Sequence, residues 1–221
     1  MRMNTPKQAC WLVRKIFDIR YWFLEKYRSD DLHMYYSNGK FSIKKLYIAM
    51  RPQFQKSLWK KVLTGSKAIP KHRFILWLAV HRKLATVDRL ERWGITVAKE
   101  CVLCATKEEE SMEHIWFGCY YARTIWAILL QWLNEKHHIG SWEEEIEWLR
   151  RRTANKTRGE ILIFLFTAMV YHVWAERNKR RFQGKIVASS HRIKDIVMEL
   201  HIVGQRETKW HTELEKLKNF P

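Results

Sequence analysis

The sequence predicts a mainly α-helical protein with one short β-hairpin and one cross-linked loop, followed by long C-terminal helices. Three observations support this. Apolar residues recur at three- and four-residue steps through most of the 221 residues, as on the buried stripe of a helix. Asn38-Gly39, set between Tyr35-Tyr36 and Phe41, signals a hairpin, because a type I′ turn needs positive φ at both central residues. Cys101, Cys104, His114 and Cys119 form the pattern C-x2-C-x9-H-x4-C and use three of the four cysteines.

Each element follows in order. Residues 8–28 have helical spacing, and Trp11, Ile16, Tyr21 and Trp22 continue one face into Phe23 and Leu24. The first seventeen residues lack acids, a trait of transit peptides, but that continuous face favours a folded helix. After the hairpin, Ser42 caps a helix through about Met50, which Pro52 stops. Another helix is expected from Gln53 to Leu63, ending at Gly65. Pro70 opens the next, with Phe74, Trp77, Leu78 and His81 along one side. Thr86 is placed to cap a short helix, Val87 to Trp93, closed by Gly94. Cys119 leads into Tyr120–Leu133, whose Ile125, Trp126, Leu129 and Trp132 face inward. Ser141 caps a helix to about Arg152, a longer one runs from Thr157 to Phe182, and the last starts near Ser189 or Ser190. The run Ile161–Val170 is too short to span a bilayer and, continued through Trp174, reads as a buried helix. The parts are then 1–38, an N-terminal helix and hairpin entry; 39–134, a helical domain around the Cys/His loop; and 141–221, a C-terminal helical module. One continuous fold satisfies the same pattern.

Composition narrows the class. With 47% apolar and 29% charged residues, four prolines and eight glycines, the chain buries a core and is not disordered. Twelve tryptophans are expected mostly in that core. The formal net charge of +18 repels itself in a compact state and suits a polyanionic partner, nucleic acid before an anionic membrane.

The Cys/His pattern suits a soft divalent ion. Zn²⁺ takes four donors at the corners of a tetrahedron, and thiolate and imidazole supply them. The two-residue gap aims two sulfurs at one point, and the nine-residue insert brings back the His-x4-Cys pair. Buried cysteines with a core histidine are the bland alternative. Disulfides are a further one, but three clustered thiols cannot all pair. Four protein ligands leave no open position for water, so the expected metal is structural.

Between Gly39 and Gly184 the chain resembles the reverse-transcriptase zinc-binding domain of plant LINE-type (non-LTR) retrotransposons. The matching phrases are Gly39-Lys-Phe-Ser-Ile-Lys-Lys-Leu-Tyr47, Trp59, Ile69-Pro-Lys-His-Arg-Phe-Ile-Leu-Trp-Leu-Ala79, Leu84-Ala-Thr-Val-Asp-Arg-Leu90, Trp93-Gly94, the Cys/His quartet with Glu113, and Trp126. Val173-Trp174-Ala-Glu-Arg177-Asn178 is similar to a Trp-x-x-Arg-Asn phrase that follows the domain in such elements. The resemblance implies zinc on Cys101, Cys104, His114 and Cys119, a supporting nucleic-acid-binding role, and an intracellular, nuclear setting, with an organelle as the alternative. Ala85 and Val102 stand where the family commonly has proline. The polymerase and ribonuclease H domains of such elements have no counterpart in this sequence, which reads as a fragment or a separate gene.

Catalytic chemistry is not expected. Two-metal polymerase or nuclease centres need converging carboxylates. Tyr27-Arg-Ser-Asp30-Asp31 has one residue too many for the polymerase turn, and Glu108–Glu110 and Glu143–Glu145 read as solvated helix or loop surfaces. No small-molecule substrate and no membrane partner is indicated. Phosphate contacts are expected from three basic clusters: Lys71, Arg73, Arg82, Lys83, Arg89 and Arg92; Arg150, Arg151 and Arg152; and Arg177, Lys179, Arg180 and Arg181. His72 adds to the first cluster. Tyr120, Tyr121 and Trp116 are candidate stacking surfaces for bases, although the place of Trp116 close behind a ligand favours the core. RNA or DNA would be bound with weak sequence preference. A subunit of a large ribonucleoprotein such as a ribosome, or a relic of the element without function, fits the same features.

Overall fold

The computed structural model describes residues 10–27, 29–52, 57, 59–64, 66–152 and 156–217. Two compact units emerge, Met1–Gln55 and Lys56–Pro221.

In the first unit, α1 spans Trp11–Lys26 and a 3₁₀ segment spans Ser29–Tyr35. Strands β1 (Tyr36–Ser37) and β2 (Lys40–Phe41) pair antiparallel, Tyr36 opposite Phe41. Asn38 and Gly39 take φ 52° and 72°, the two positive values a type I′ turn needs. The Tyr36 and Phe41 rings meet edge to face at 5.6 Å. Ser42 caps α2 (Ile43–Met50), its hydroxyl accepting from Lys45 N–H at 3.3 Å.

The second unit is helical. Its elements are α3 (Lys60–Thr64), α4 (Pro70–Val80), α5 (Val87–Arg92), α6 (Tyr120–Trp132), α7 (Trp142–Arg152), α8 (Lys156–Gln183), α9 (Ser189–Gly204) and α10 (His211–Lys216). Helix α3 is shorter than expected; Ser57 and Trp59 lie outside it, while Gln53–Lys56, Leu58 and Gly65 fall outside the described residues. The middle of α8 is apolar all round, and Ile161 to Val170 are all buried. Such a helix belongs at the centre of a core, and α4, α6, α7 and α9 pack on it. By length and composition α8 could cross a bilayer, but 78% of its most apolar stretch is buried inside the protein.

Two adjacent carboxylates, one exposed and one buried, anchor the start of α7. Ser141 and Glu144 form a capping box at the start of α7: Glu144 accepts from Ser141 N–H at 2.7 Å, and the Ser141 hydroxyl accepts from Glu144 N–H at 3.4 Å. Glu145 is fully buried and accepts from Trp126 Nε1 at 2.8 Å and Gly140 N–H at 2.9 Å, with His137 Nε2 at 2.7 Å. It is no surface acid. On α4 the buried residues are His72, Leu76 and Ala79, while Phe74 and Trp77 are exposed. The aromatic stripe of α4 therefore faces water.

Candidate metal centre

Cys101 and Cys104 sit on a bend between two paired segments. Glu100 and Glu109 form an antiparallel bridge; Cys101 N–H donates to Glu108 C=O and Glu110 N–H to Lys99 C=O, both at 2.8 Å. His114 opens a single π turn, His114–Gly118, closed by Cys119 N–H donating to His114 C=O at 2.5 Å. The wide turn explains the H-x4-C spacing. On an α-helix, residues five apart lie about 140° from each other around the axis. The extra residue of a π turn returns them to one side, and such turns are frequent at functional sites.

Cys101 Sγ lies 3.9 Å from Cys119 Sγ, and Cys104 Sγ lies 3.3 Å from His114 Nε2. All four ligand atoms are within 4.8 Å of one another. Zinc bonds near 2.3 Å to sulfur and 2.0–2.1 Å to nitrogen place tetrahedral ligands about 3.8 Å apart for two sulfurs and about 3.6 Å apart for sulfur and nitrogen. The residues present fit that ion. The contact with Cys119 and backbone N–H groups of Leu103 and Cys104 hold the Cys101 thiol below its ordinary range, and the same contact with burial pushes Cys119 up; a divalent cation displaces the protons of both.

Residues 41–126 match the family model described as zinc-binding in reverse transcriptase. The match supports a reverse-transcriptase zinc-binding domain, and it holds the whole quartet. No curated protein and no solved structure matches the chain.

Around the quartet lies a supporting set of side chains. His114 Nδ1 faces Glu108 Oε2 at 3.0 Å, which directs Nε2 to the sulfurs, an arrangement that orients metal-bound imidazoles. Glu110 is buried: it accepts from Arg177 Nη2 at 2.5 Å, from Arg181 Nη2 at 3.1 Å and from Val87 N–H at 3.2 Å. That last bond caps α5 in place of Thr86, whose hydroxyl makes no cap bond. Arg181 also donates to Ala98 and Glu100 C=O, and Arg180 to Val102 and Leu103 C=O. Two arginines of α8, Arg180 and Arg181, thus grip the backbone of the metal loop, and Arg177 holds it through the Glu110 side chain.

This corrects the expectation for the third basic cluster. Arg177, Arg180 and Arg181 are turned into the protein, with side-chain exposures of 1%, 12% and 9%, because Glu110 and Glu176 draw their charges inward. Lys179, beside them, is half-buried. In the second cluster, Arg150 and Arg151 share Glu147 and Arg152 pairs with Glu135. In the first, Lys71, Arg73 and Lys83 are exposed on and beside α4, Arg82 pairs with Glu113 and Glu143, and Arg92 pairs with Asp88 at 3.1 Å. His72 carries no charge near neutral pH, since burial lowers its pKa to about 4. Of the stacking candidates, Tyr120 is exposed, while Tyr121 and Trp116 are buried.

Sequence reasoning missed Glu110 and the exposed aromatics Phe74, Trp77 and Trp93. For the rings a signal was present as cations one to six residues away, but it does not specify which face meets water.

Proposed function

We propose that this chain is a non-catalytic, zinc-stapled module that binds RNA or DNA mainly through phosphates and derives from a retrotransposon reverse transcriptase acting in the nucleus. Three thiolates and one imidazole complete a tetrahedron, which leaves no position for a reacting water. The metal's part is to hold the loop between α5 and α6 in shape.

One observation supports the binding role above the others: a cleft of about 560 Å³ beside the metal loop, lined by His81, Arg82, Lys83, Arg89, Arg92 and Trp93 among others. In the cleft and on the neighbouring face of α4, cations lie against rings. The Arg89 guanidinium lies 4.7 Å from the Trp93 ring, and Lys83 Nζ lies 5.4 Å from the Trp77 ring. Phe74 and Trp77 stack at 6.1 Å on the exposed side of α4. Cations pair with phosphates of any sequence, and flat exposed rings stack on any base, each worth roughly 1–3 kcal/mol. Such a surface reads charge and single-strandedness, with weak sequence preference.

A filter-binding titration over a range of salt tests this. Retention of single-stranded RNA or DNA is expected to fall with salt, with a log–log slope of about −0.7 per neutralised phosphate. Retention that is absent, or indifferent to salt, removes the reading.

A further inference from the structure

A second group of ligand-type side chains lies where α4, α8 and α9 meet. His172 Nε2 is 3.1 Å from Glu199 Oε2, and His72 Nδ1 is 3.7 Å from the same oxygen. The three ligand atoms lie within 4.8 Å of one another. His72 is fully buried, and neither of its ring nitrogens has a hydrogen-bond partner. Leaving a buried polar group unpaired costs about 1–3 kcal/mol. Core histidines usually avoid this by finding a carbonyl or hydroxyl.

Two explanations compete for these separations. At 3.7 Å, His72 and Glu199 are too far apart for a hydrogen bond. Two ligands of one tetrahedral ion with bonds of 2.0–2.2 Å stand about 3.3–3.6 Å apart, close to both observed values.

We propose that His72, His172 and Glu199 bind a second divalent transition metal, of the zinc type, through two imidazole nitrogens and one carboxylate oxygen. Nitrogen and oxygen donors of this kind suit zinc, cobalt and iron. Glu199 is the most open of the three ligands, its side chain 19% exposed against 9% for His172 and 0% for His72. The site contains no sulfur, so it differs chemically from the Cys/His centre. A bound ion ties the first turn of α4 to the middle of α8 and to α9, and gives both nitrogens of the pair a common partner. The competing picture is a His172–Glu199 ion pair with His72 as a neutral ring stacked at 4.1 Å on Tyr171.

Cobalt(II) titration of the full chain separates the two. About two equivalents are expected to bind, since each site shares its binding energy with folding. The sulfur-to-cobalt charge-transfer absorption should accompany only one of them. Glu199→Gln and His172→Gln should each lower the stoichiometry to about one while leaving that absorption intact; Cys104→Ser should weaken the absorption instead. His72→Phe puts an apolar ring of similar size in the same buried space, and it should fold and also bind about one equivalent. A wild-type stoichiometry of one equivalent overturns the proposal. So does a second equivalent that persists in His72→Phe.

Discussion

Glu108, Glu109 and Glu110 are consecutive acids with three different surroundings. Glu108 faces the His114 ring, Glu109 is exposed, and Glu110 is buried against two guanidinium groups. The sequence offered one reading for all three, a solvated tip, because an irregular loop has no period from which an inward position can be told. The consequences differ accordingly. Glu108→Ala is expected to lower metal affinity by roughly 10–100-fold with little effect on the fold; competition with a chelator measures this, and unchanged affinity would show the carboxylate to be a bystander. Glu110→Ala leaves Arg177 buried without its counter-charge, which costs about 3–5 kcal/mol. Urea unfolding reads that loss, and a change below about 1 kcal/mol, the scale of surface ion pairs, would place Arg177 in water.

Among elements, those with strong local signals were legible. The hairpin follows from Asn38-Gly39, α2 from Ser42 and Pro52, α4 from Pro70, and α8 from an unbroken apolar run. The quartet was legible too, since spacing and ligand type carry it. Two features were hidden. The π turn at His114–Gly118 has no propensity of its own; only the H-x4-C spacing, read in reverse, implies it. On α4 the conspicuous rings face solvent, while His72, Leu76 and Ala79 make the buried stripe, because ring spacing is the same for a core face and for a platform. Another hidden device joins α8 to α9. Burial alone would raise the Glu176 carboxyl, but Arg180, Val187 N–H and Arg192 hold it below the ordinary value of 4.5. The folded state thus takes up this proton less readily than the unfolded chain. The stability it brings is complete above 4.5 and is lost as pH falls through the lower folded value. Glu176→Gln should therefore lower stability at neutral pH and flatten the acid limb of a stability–pH curve. An unchanged limb in urea titrations at successive pH values would assign the acid sensitivity elsewhere.

For the molecule as a whole, a net charge of +18 pointed towards a polyanion but could not say which cations face it. Side chains of both signs are scattered along the chain, and only the fold sorts them. Glu147 and Glu135 engage the second basic cluster, while Glu110 and Glu176 take up the arginines of the third. The first cluster keeps Lys71, Arg73 and Lys83 exposed beside the aromatic rim. Replacing Lys83 and Arg89 together by glutamate is expected to weaken nucleic-acid retention and to reduce the salt slope by about 0.7 for each lost phosphate contact. Arg150→Gln with Arg151→Gln should leave the slope near its original value. If both pairs of substitutions act equally, the binding surface is not the cleft beside the metal loop.

The grip of α8 on the metal loop bears on how this protein is made. During synthesis the quartet leaves the ribosome first, and Arg177, Arg180 and Arg181 emerge only after α6 and α7 have been translated. Until then the nascent loop has its ligands but not the guanidinium groups that hold its carbonyls at Ala98, Glu100, Val102 and Leu103. A version cut at Trp126, where the family match stops, would retain every cysteine yet lack the clamp. The family match therefore ends before the side chains that hold the carbonyls of its own loop.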